Sequence, residues 1–286
     1  MKIVTSPAEM QRLADAARAR GDRIALVPTM GYLHEGHLAL MREGRRRADL
    51  LAASVFVNPT QFGPHEDLAR YPRDFDRDCE LMRLVPVDVV FAPEAPAIYP
   101  ERFQTWVEVT EVTKGLCGTS RPIHFRGVTT VVAKLFHIVK PQVALFGEKD
   151  FQQLRAIQRM VADLNFDLEI VPVPIVREPD GLAMSSRNAY LTAPEREQAL
   201  GLSRALKAAR DRFEAGGASV AELIRVAAET LAATPGLSVE YIEVVDADTL
   251  SPAASLASFI SPVLVAIAAR VGKVRLIDNT VLRPPG

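Results

Sequence analysis

Apolar residues along this chain switch repeatedly between two periods, and the switching predicts the fold. Short apolar runs at residues 24–28 (IALVP), 51–57 (LAASVFV), 87–91 (VDVVF), 143–146 (VALF) and 168–176 (LEIVPVPIV) read as buried strands. Between them, residues 37–47, 68–85, 127–139 and 152–163 carry apolar side chains at helical spacing; Val131, Leu135 and Ile138, for example, share one face. The helix within 68–85 has to stop before Pro86, and residues 106–110 (WVEVT) look β-like. Strands alternating with helices of this length imply βαβ units and a mostly parallel sheet.

The pattern changes near residues 177–182 (REPDGL), where proline and glycine interrupt both periods. Two amphipathic helices follow, at 194–215 and 220–233, separated by GGAS. Three apolar runs at 239–245, 263–270 and 274–277 then come in close succession, as in a small antiparallel sheet. The expected organisation is an α/β nucleotide domain over 1–176 and a smaller α+β domain over 177–286.

Composition narrows the class. The 286 residues are 48% hydrophobic and 24% charged, ordinary for a well-cored globular protein. A net charge of -1 gives no basic field to attract nucleic acid, and two cysteines are too few for a disulfide framework. The N-terminal stretch turns charged and helical after six positions without the apolar core of a secretion signal, which predicts a soluble, cytoplasmic protein. Residues 252–269 (PAASLASFISPVLVAIAA) are apolar enough to raise a membrane span, but two prolines and three serines interrupt them. A loop leading into a strand is expected there, because a spanning helix needs ~20 mostly apolar residues in a row.

Four segments carry candidate chemistry. In PTMGYLHEGH (28–37) a strand runs through a glycine-containing turn into a helix, at the sheet edge where open α/β folds bind ligands. Met30 and Gly31 form the turn; His34 and His37 lie three apart at a helix N-terminus, which suits phosphate. A zinc-protease pair would need histidines four apart, so that reading fails, whereas two surface histidines at an ordinary helix start remain open for this segment alone. Gly147-Glu148-Lys149-Asp150 again follows a strand, with Lys149 able to reach a phosphate and Asp150 able to accept from a ribose hydroxyl or support a metal. Met184, Ser185, Ser186 and Arg187 place two hydroxyls and a guanidinium beside the domain join, suited to a mobile clamp on a triphosphate. Asn58 precedes a proline and is biased to extended backbone, which sets Gln61 over the first segment's edge; Gln152 and Gln153 open a further helix. Neutral amides suit a hydroxy acid whose own carboxylate must stay nucleophilic.

PTMGYLHEGH, FVNPTQF, EDLARYPR, RPIHFRGVTTVV, FGEKDFQQL, REPDGLAMSSRN, YIEVVDADTL and RLIDN, in this order and over nearly the whole chain, resemble the pantoate–β-alanine ligase (pantothenate synthetase) family. The resemblance implies a Rossmann-like first domain of the HIGH-motif nucleotidyltransferases and a second domain acting as a lid. It implies ATP contacts at Met30, Gly31, His34, His37, Gly147, Glu148, Lys149, Asp150, Val176, Met184, Ser185, Ser186 and Arg187. His37, with His34 and Lys149, would be catalytic, His37 as proton donor, and Gln61 and Gln153 would hold pantoate, Gln61 lying also near β-alanine. Magnesium and a homodimer are implied in the same way, and no partner nucleic acid or membrane. Tyr32, Ile123, His137 and Phe151 depart from the residues usual in the family. Two other readings fit the phosphate motifs: a nucleotidylyltransferase moving AMP onto a phosphate acceptor, and a nucleotide-sensing module without catalysis.

Overall fold

The computed structural model describes residues 1–64, 66–253 and 262–283, which fall into two compact units. The first comprises Met1–Thr110, Arg121–Glu148 and Gln153–Val176. The second takes Glu111–Ser120, Lys149–Gln152 and the chain from Arg177 onward.

In chain order the first part of the molecule runs β1 (Lys2–Val4), α1 (Pro7–Ala19), β2 (Ile24–Thr29), α2 (Glu35–Arg47), β3 (Leu50–Val55), α3 (Phe75–Leu84), β4 (Val89–Phe91) and α4 (Ala95–Ile98). It continues through α5 (Cys117–Ser120), α6 (His124–Val139), β5 (Val143–Gly147), α7 (Phe151–Asp163) and β6 (Glu169–Val173). The six strands pair in the order β1-β4-β3-β2-β5-β6, all parallel. Successive strand residues alternate between two cores, as a sheet covered on both faces requires. Ile24, Leu26, Ala52, Ala144 and Phe146 pack with residues of α1, α6 and α7, whereas Ala25, Val27, Leu51, Ala53 and Leu145 pack with Leu38, Met41, Cys79 and Met82 of α2 and α3. The uninterrupted runs IALVP and LAASV are apolar because both of their faces are buried. Strand order reverses at β2, so its carboxyl end, flanked by those of β3 and β5, is the switch point of the sheet.

The second unit contains α8 (Ala193–Glu214), α9 (Val220–Ala232), β7 (Leu237–Asp246), β8 (Val263–Val271) and β9 (Val274–Leu282). Its sheet is antiparallel, β7-β8-β9. Both helices start at capping boxes, Thr192 with Glu195 and Ser219 with Glu222, and their apolar stripes pack on Val263, Val265 and Ile267.

The α/β plus α+β class is as expected, while local details differ. Strand β1 is absent from the sequence reading because three residues carry too little pattern. Residues 106–110 form no strand: side-chain hydroxyls of α6 take the place of a ladder, Thr130 Oγ1 accepting from Val107 N at 3.0 Å and Thr129 Oγ1 donating to Val107 O at 2.6 Å. The helix expected within 68–85 is α3, which ends before Pro86; it starts only after Pro72, where Asp74 caps it by accepting from Arg77 N, and a 3-10 turn, Leu68–Arg70, precedes it. The last strand continues past residue 277 to Leu282. Of the apolar stretch 252–269, residues 254–261 lie outside the described residues, and the strand expected after them is β8. Among the described residues no helix is long and apolar enough to cross a membrane.

Candidate active site

Local geometry at the end of β2 is set by one buried carboxylate. Asp78, on α3 and 1% exposed, accepts from Tyr32 N at 2.8 Å and from Leu33 N at 2.7 Å. These bonds hold residues 31–33 in left-handed and turn conformations, with φ of +83° at Gly31 and +51° at Tyr32. A side chain at Gly31 would meet Asp78 Oδ2 at 3.0 Å and Val55 Cγ1 at 3.1 Å, so the turn requires glycine on grounds of both φ and space. The unusual Tyr32 is tolerated because Asp78 holds its N–H and Arg77 lies over its ring, 5.3 Å from the centroid. Burial pushes the Asp78 carboxyl above its ordinary value, against the lowering effect of the two N–H bonds.

The turn delivers the chain into α2 with the two histidine rings 4.0 Å apart, centroid to centroid. His34 N donates to His37 Nδ1 at 3.3 Å. A ring nitrogen that accepts carries no proton, so neutral His37 keeps its proton on Nε2, the nitrogen that can donate to a ligand. At the end of the neighbouring β3, Asn58 opens a 3-10 turn, Pro59–Gln61. Gln61 Nε2 lies 3.3 Å from Met30 Sδ, so the amide and the histidine-bearing turn are brought together within the first unit. The Gln61 main-chain oxygen is held by His124 Nδ1 at 2.9 Å and Arg121 Nη2 at 3.3 Å. Arg121 also pairs with Glu66; burial works to raise that carboxyl, but the guanidinium holds it below the usual range. Helix α6 comes this close because residue 127 is glycine: a Cβ there would lie 2.5 Å from Thr60 O.

β5 ends at Gly147, and a 3-10 turn, Glu148–Asp150, leads into α7. Lys149 Nζ sits 3.6 Å from Asp150 Oδ1, the lysine side chain 20% and the aspartate 51% exposed. Asn279 of β9 donates to Lys149 O at 2.9 Å. Gln152 is a structural residue: it is buried, accepts from Cys117 N, and donates to Val112 O and Gly115 O. Its neighbour Gln153 is half-buried in the first turn of α7, and Val176 is half-buried after β6.

The Met184–Arg187 segment rests on a polar frame in the second unit. Arg177 makes two bonds, 2.6 and 2.9 Å, to Asp278, which is almost fully buried in β9. Arg177 and Ala183 form a bridge, Arg196 joins Glu178 to Asp180, and Asn188 Nδ2 donates to Glu178 and to Ala183 O. Ser185 caps a 3-10 turn, Ser186–Tyr190, by accepting from Arg187 N at 3.3 Å; Ser186 is buried. The expectation of a flexible stretch therefore meets a segment with its own turn and anchors. The proposed site residues thus fall into two groups: Met30, Gly31, His34, His37, Gln61, Gly147, Glu148, Gln153 and Val176 in the first unit, and Lys149, Asp150 and Met184–Arg187 in the second.

Asp78, Arg121 and His124 support the site from positions that carry no local pattern of their own. Arg121 and His124 do lie within the RPIHFRGVTTVV motif. Among the described residues no cluster of three or more His, Cys, Asp or Glu could cage a metal ion.

Comparison with known proteins gives a consistent picture. Residues 2–281 match the family described as pantoate-beta-alanine ligase. Relatives include the pantothenate synthetase of Geobacter sulfurreducens, 57% identical over 99% of both chains, and that of Syntrophobacter fumaroxidans, 56% identical over 99% of both. Among solved structures, the pantothenate synthetase of Thermus thermophilus superposes with a TM-score of 0.92 at 46% identity, covering 98% of this chain and 99% of that one. The pantoate-beta-alanine ligase of Francisella tularensis, complexed with β,γ ATP and β-alanine, has a TM-score of 0.81 at 33% identity, covering 98% and 97%.

Proposed function

This chain belongs to the pantoate–β-alanine ligase family, and from that premise we propose that it joins pantoate to β-alanine with ATP in two steps. A carboxylate is a poor acyl donor because its leaving group would be oxide. In the first step a pantoate carboxylate oxygen attacks the α-phosphorus of ATP, the bond to the β-phosphate oxygen breaks, and pantoyl adenylate and pyrophosphate form. In the second, the neutral amine of β-alanine attacks the acyl carbon, AMP departs, and the amine gives up a proton as the amide forms.

The observation that carries this reading is the pairing, at the switch point of the sheet, of a phosphate-type turn with a neutral amide. His34 and His37 face the same way at a helix N-terminus, and Gln61 touches Met30 of that turn. Charge builds on the departing pyrophosphate, where the His37 Nε2–H, His34, Lys149, Ser185, Ser186 and Arg187 stabilise it. Main-chain and side-chain groups of Met30, Gly31, Gly147, Glu148, Asp150, Val176 and Met184 complete the ATP contacts. Gln61 and Gln153 hold pantoate without a salt bridge that would damp its nucleophilicity.

Magnesium belongs to the proposal as an ion carried by the triphosphate rather than by a protein cage. Such an ion keeps several waters and takes one or two carboxylates, a role the half-exposed Asp150 fits. It would supply charge neutralisation on the phosphates. A homodimer is proposed as well, and sedimentation of the free protein tests it. Product analysis separates this function from adenylyl transfer to a phosphate: free AMP together with an amide supports it, and a dinucleotide-like product overturns it.

A further inference from the structure

The Gln61 side chain can face a substrate with either end of its amide, and its surroundings choose one. Its Oε1 accepts from Asn58 Nδ2 at 3.0 Å, which leaves the NH2 end outward, towards Met30. The choice is only as firm as the orientation of Asn58, a residue 1% exposed. Asn58 Nδ2 also donates to Gly127 O at 3.1 Å. Asn58 Oδ1 is the target of two hydroxyls, Tyr99 at 2.9 Å and Thr60 at 2.9 Å. Turning the Asn58 amide over would set its oxygen against Gly127 O and Gln61 Oε1 and its NH2 against the Thr60 N–H, 3.4 Å away, and would cost the two hydroxyls their common acceptor.

Tyr99 lies 41 residues from Asn58, just after α4, with its ring packed edge-on to Phe103 at 5.0 Å and its phenol within 3.1 Å of Thr60 Oγ1. Burial raises the phenol above its ordinary value, so the hydroxyl stays protonated and remains a donor. A run of hydrogen bonds therefore leads from Tyr99 through Asn58 to Gln61, with donor and acceptor sense fixed at every link.

We propose that the Tyr99 hydroxyl is a positioning group for the acid substrate: through Asn58 it holds the Gln61 amide with its N–H donors facing the ligand. The proposal rests on the assignment of Gln61 to pantoate. It adds a chemical preference, since an amide N–H recognises an oxygen lone pair of a carboxylate or hydroxyl and rejects a ligand that presents an N–H at that point.

The test is a double-mutant cycle on the whole enzyme, with AMP release measured while pantoate and ATP are varied separately. Tyr99→Phe keeps the ring and removes the hydroxyl; it should raise the pantoate KM about threefold to tenfold, the scale of one hydrogen bond, and leave the ATP KM within about twofold. Gln61→Ala should raise the pantoate KM further. If Tyr99 acts through Gln61, adding Tyr99→Phe to Gln61→Ala changes nothing more, whereas a general structural role adds its full effect. An additive double variant, an equal rise in ATP KM, or a silent Tyr99→Phe beside an impaired Gln61→Ala overturns the proposal alone. A Gln61→Ala enzyme with unchanged pantoate KM instead removes the assignment on which the proposal stands. Should Tyr99→Phe melt early, Asn58→Asp reads the same link: it has no donor, so Gln61 must turn and present its oxygen, and the pantoate KM rises selectively. An Asn58→Asp enzyme with normal pantoate KM refutes the relay.

Discussion

Replacing Asp78 by Asn isolates the part that a buried carboxylate plays in shaping the turn after β2. The two oxygens receive Tyr32 N at 2.8 Å and Leu33 N at 2.7 Å. An amide offers one oxygen, so its NH2 must face the other N–H across the same gap. Leaving one buried donor unpaired costs ~1–3 kcal/mol. The substitution also removes a buried charge, and burial already raises the Asp78 carboxyl. The sign follows from linkage: a carboxyl whose folded pKa is raised binds its proton more tightly when folded, so it contributes stability at low pH that is lost as pH rises through the folded value. At neutral pH the ionised group thus carries a cost that Asn does not. The two effects oppose each other, and the net change in folding stability should stay below ~2 kcal/mol. Activity has no such offset, because Gly31, Tyr32 and Leu33 lead directly into His34 and His37. A shift of about 1 Å in groups that position reacting atoms costs on the order of 10²-fold in rate. Asp78→Asn should therefore lose roughly 10–100-fold in pantoate-dependent pyrophosphate release while its thermal midpoint moves by only a few degrees. A variant with full activity would refute the positioning argument. So would one whose activity at a fixed low temperature falls only in step with unfolding.

Three further outcomes follow from the same geometry. His37→Ala should slow pyrophosphate release by ~10²–10⁴-fold, the range for a lost proton donor, and an unchanged rate would remove that role. Lys149→Ala should lose ~10²-fold or more in adenylation with the fold intact; circular dichroism melting at the normal temperature must accompany the loss, since early melting would make Lys149 structural. Arg177→Ala strands the buried Asp278 carboxylate and should destabilise the protein by ~3 kcal/mol, the low end for a broken buried pair because Arg177 is itself 31% exposed. Calorimetry showing an unchanged midpoint would contradict that reading of the frame beneath Met184–Arg187.

The parallel sheet and the turn at its switch point were legible because IALVP is apolar on both faces and is followed at once by glycine and a helix start. Likewise, apolar residues at helical spacing on either side of GGAS announce α8 and α9. What was not legible depends on distant partners. Residues 106–110 look like a strand, but the main-chain groups of Val107 bond threonine hydroxyls on α6, which no local pattern reveals. Asp78 is one of three aspartates within five residues, and only tertiary contact distinguishes it from Asp74, a helix cap, and Asp76. Gln152 and Gln153 look equivalent in sequence, yet the first is consumed by main-chain groups at Val112, Gly115 and Cys117. Tyr99 carries no signal, since its hydroxyl reaches an amide 41 residues away.

In the proposed reaction pantoate is activated as an adenylate before the amine takes part. Exchange of labelled pyrophosphate into ATP measures that step directly. Label should enter ATP when pantoate is present and β-alanine is absent, and should not enter when pantoate is omitted. Exchange that needs β-alanine, or that proceeds without pantoate, would contradict a pantoyl-adenylate intermediate formed ahead of the amine.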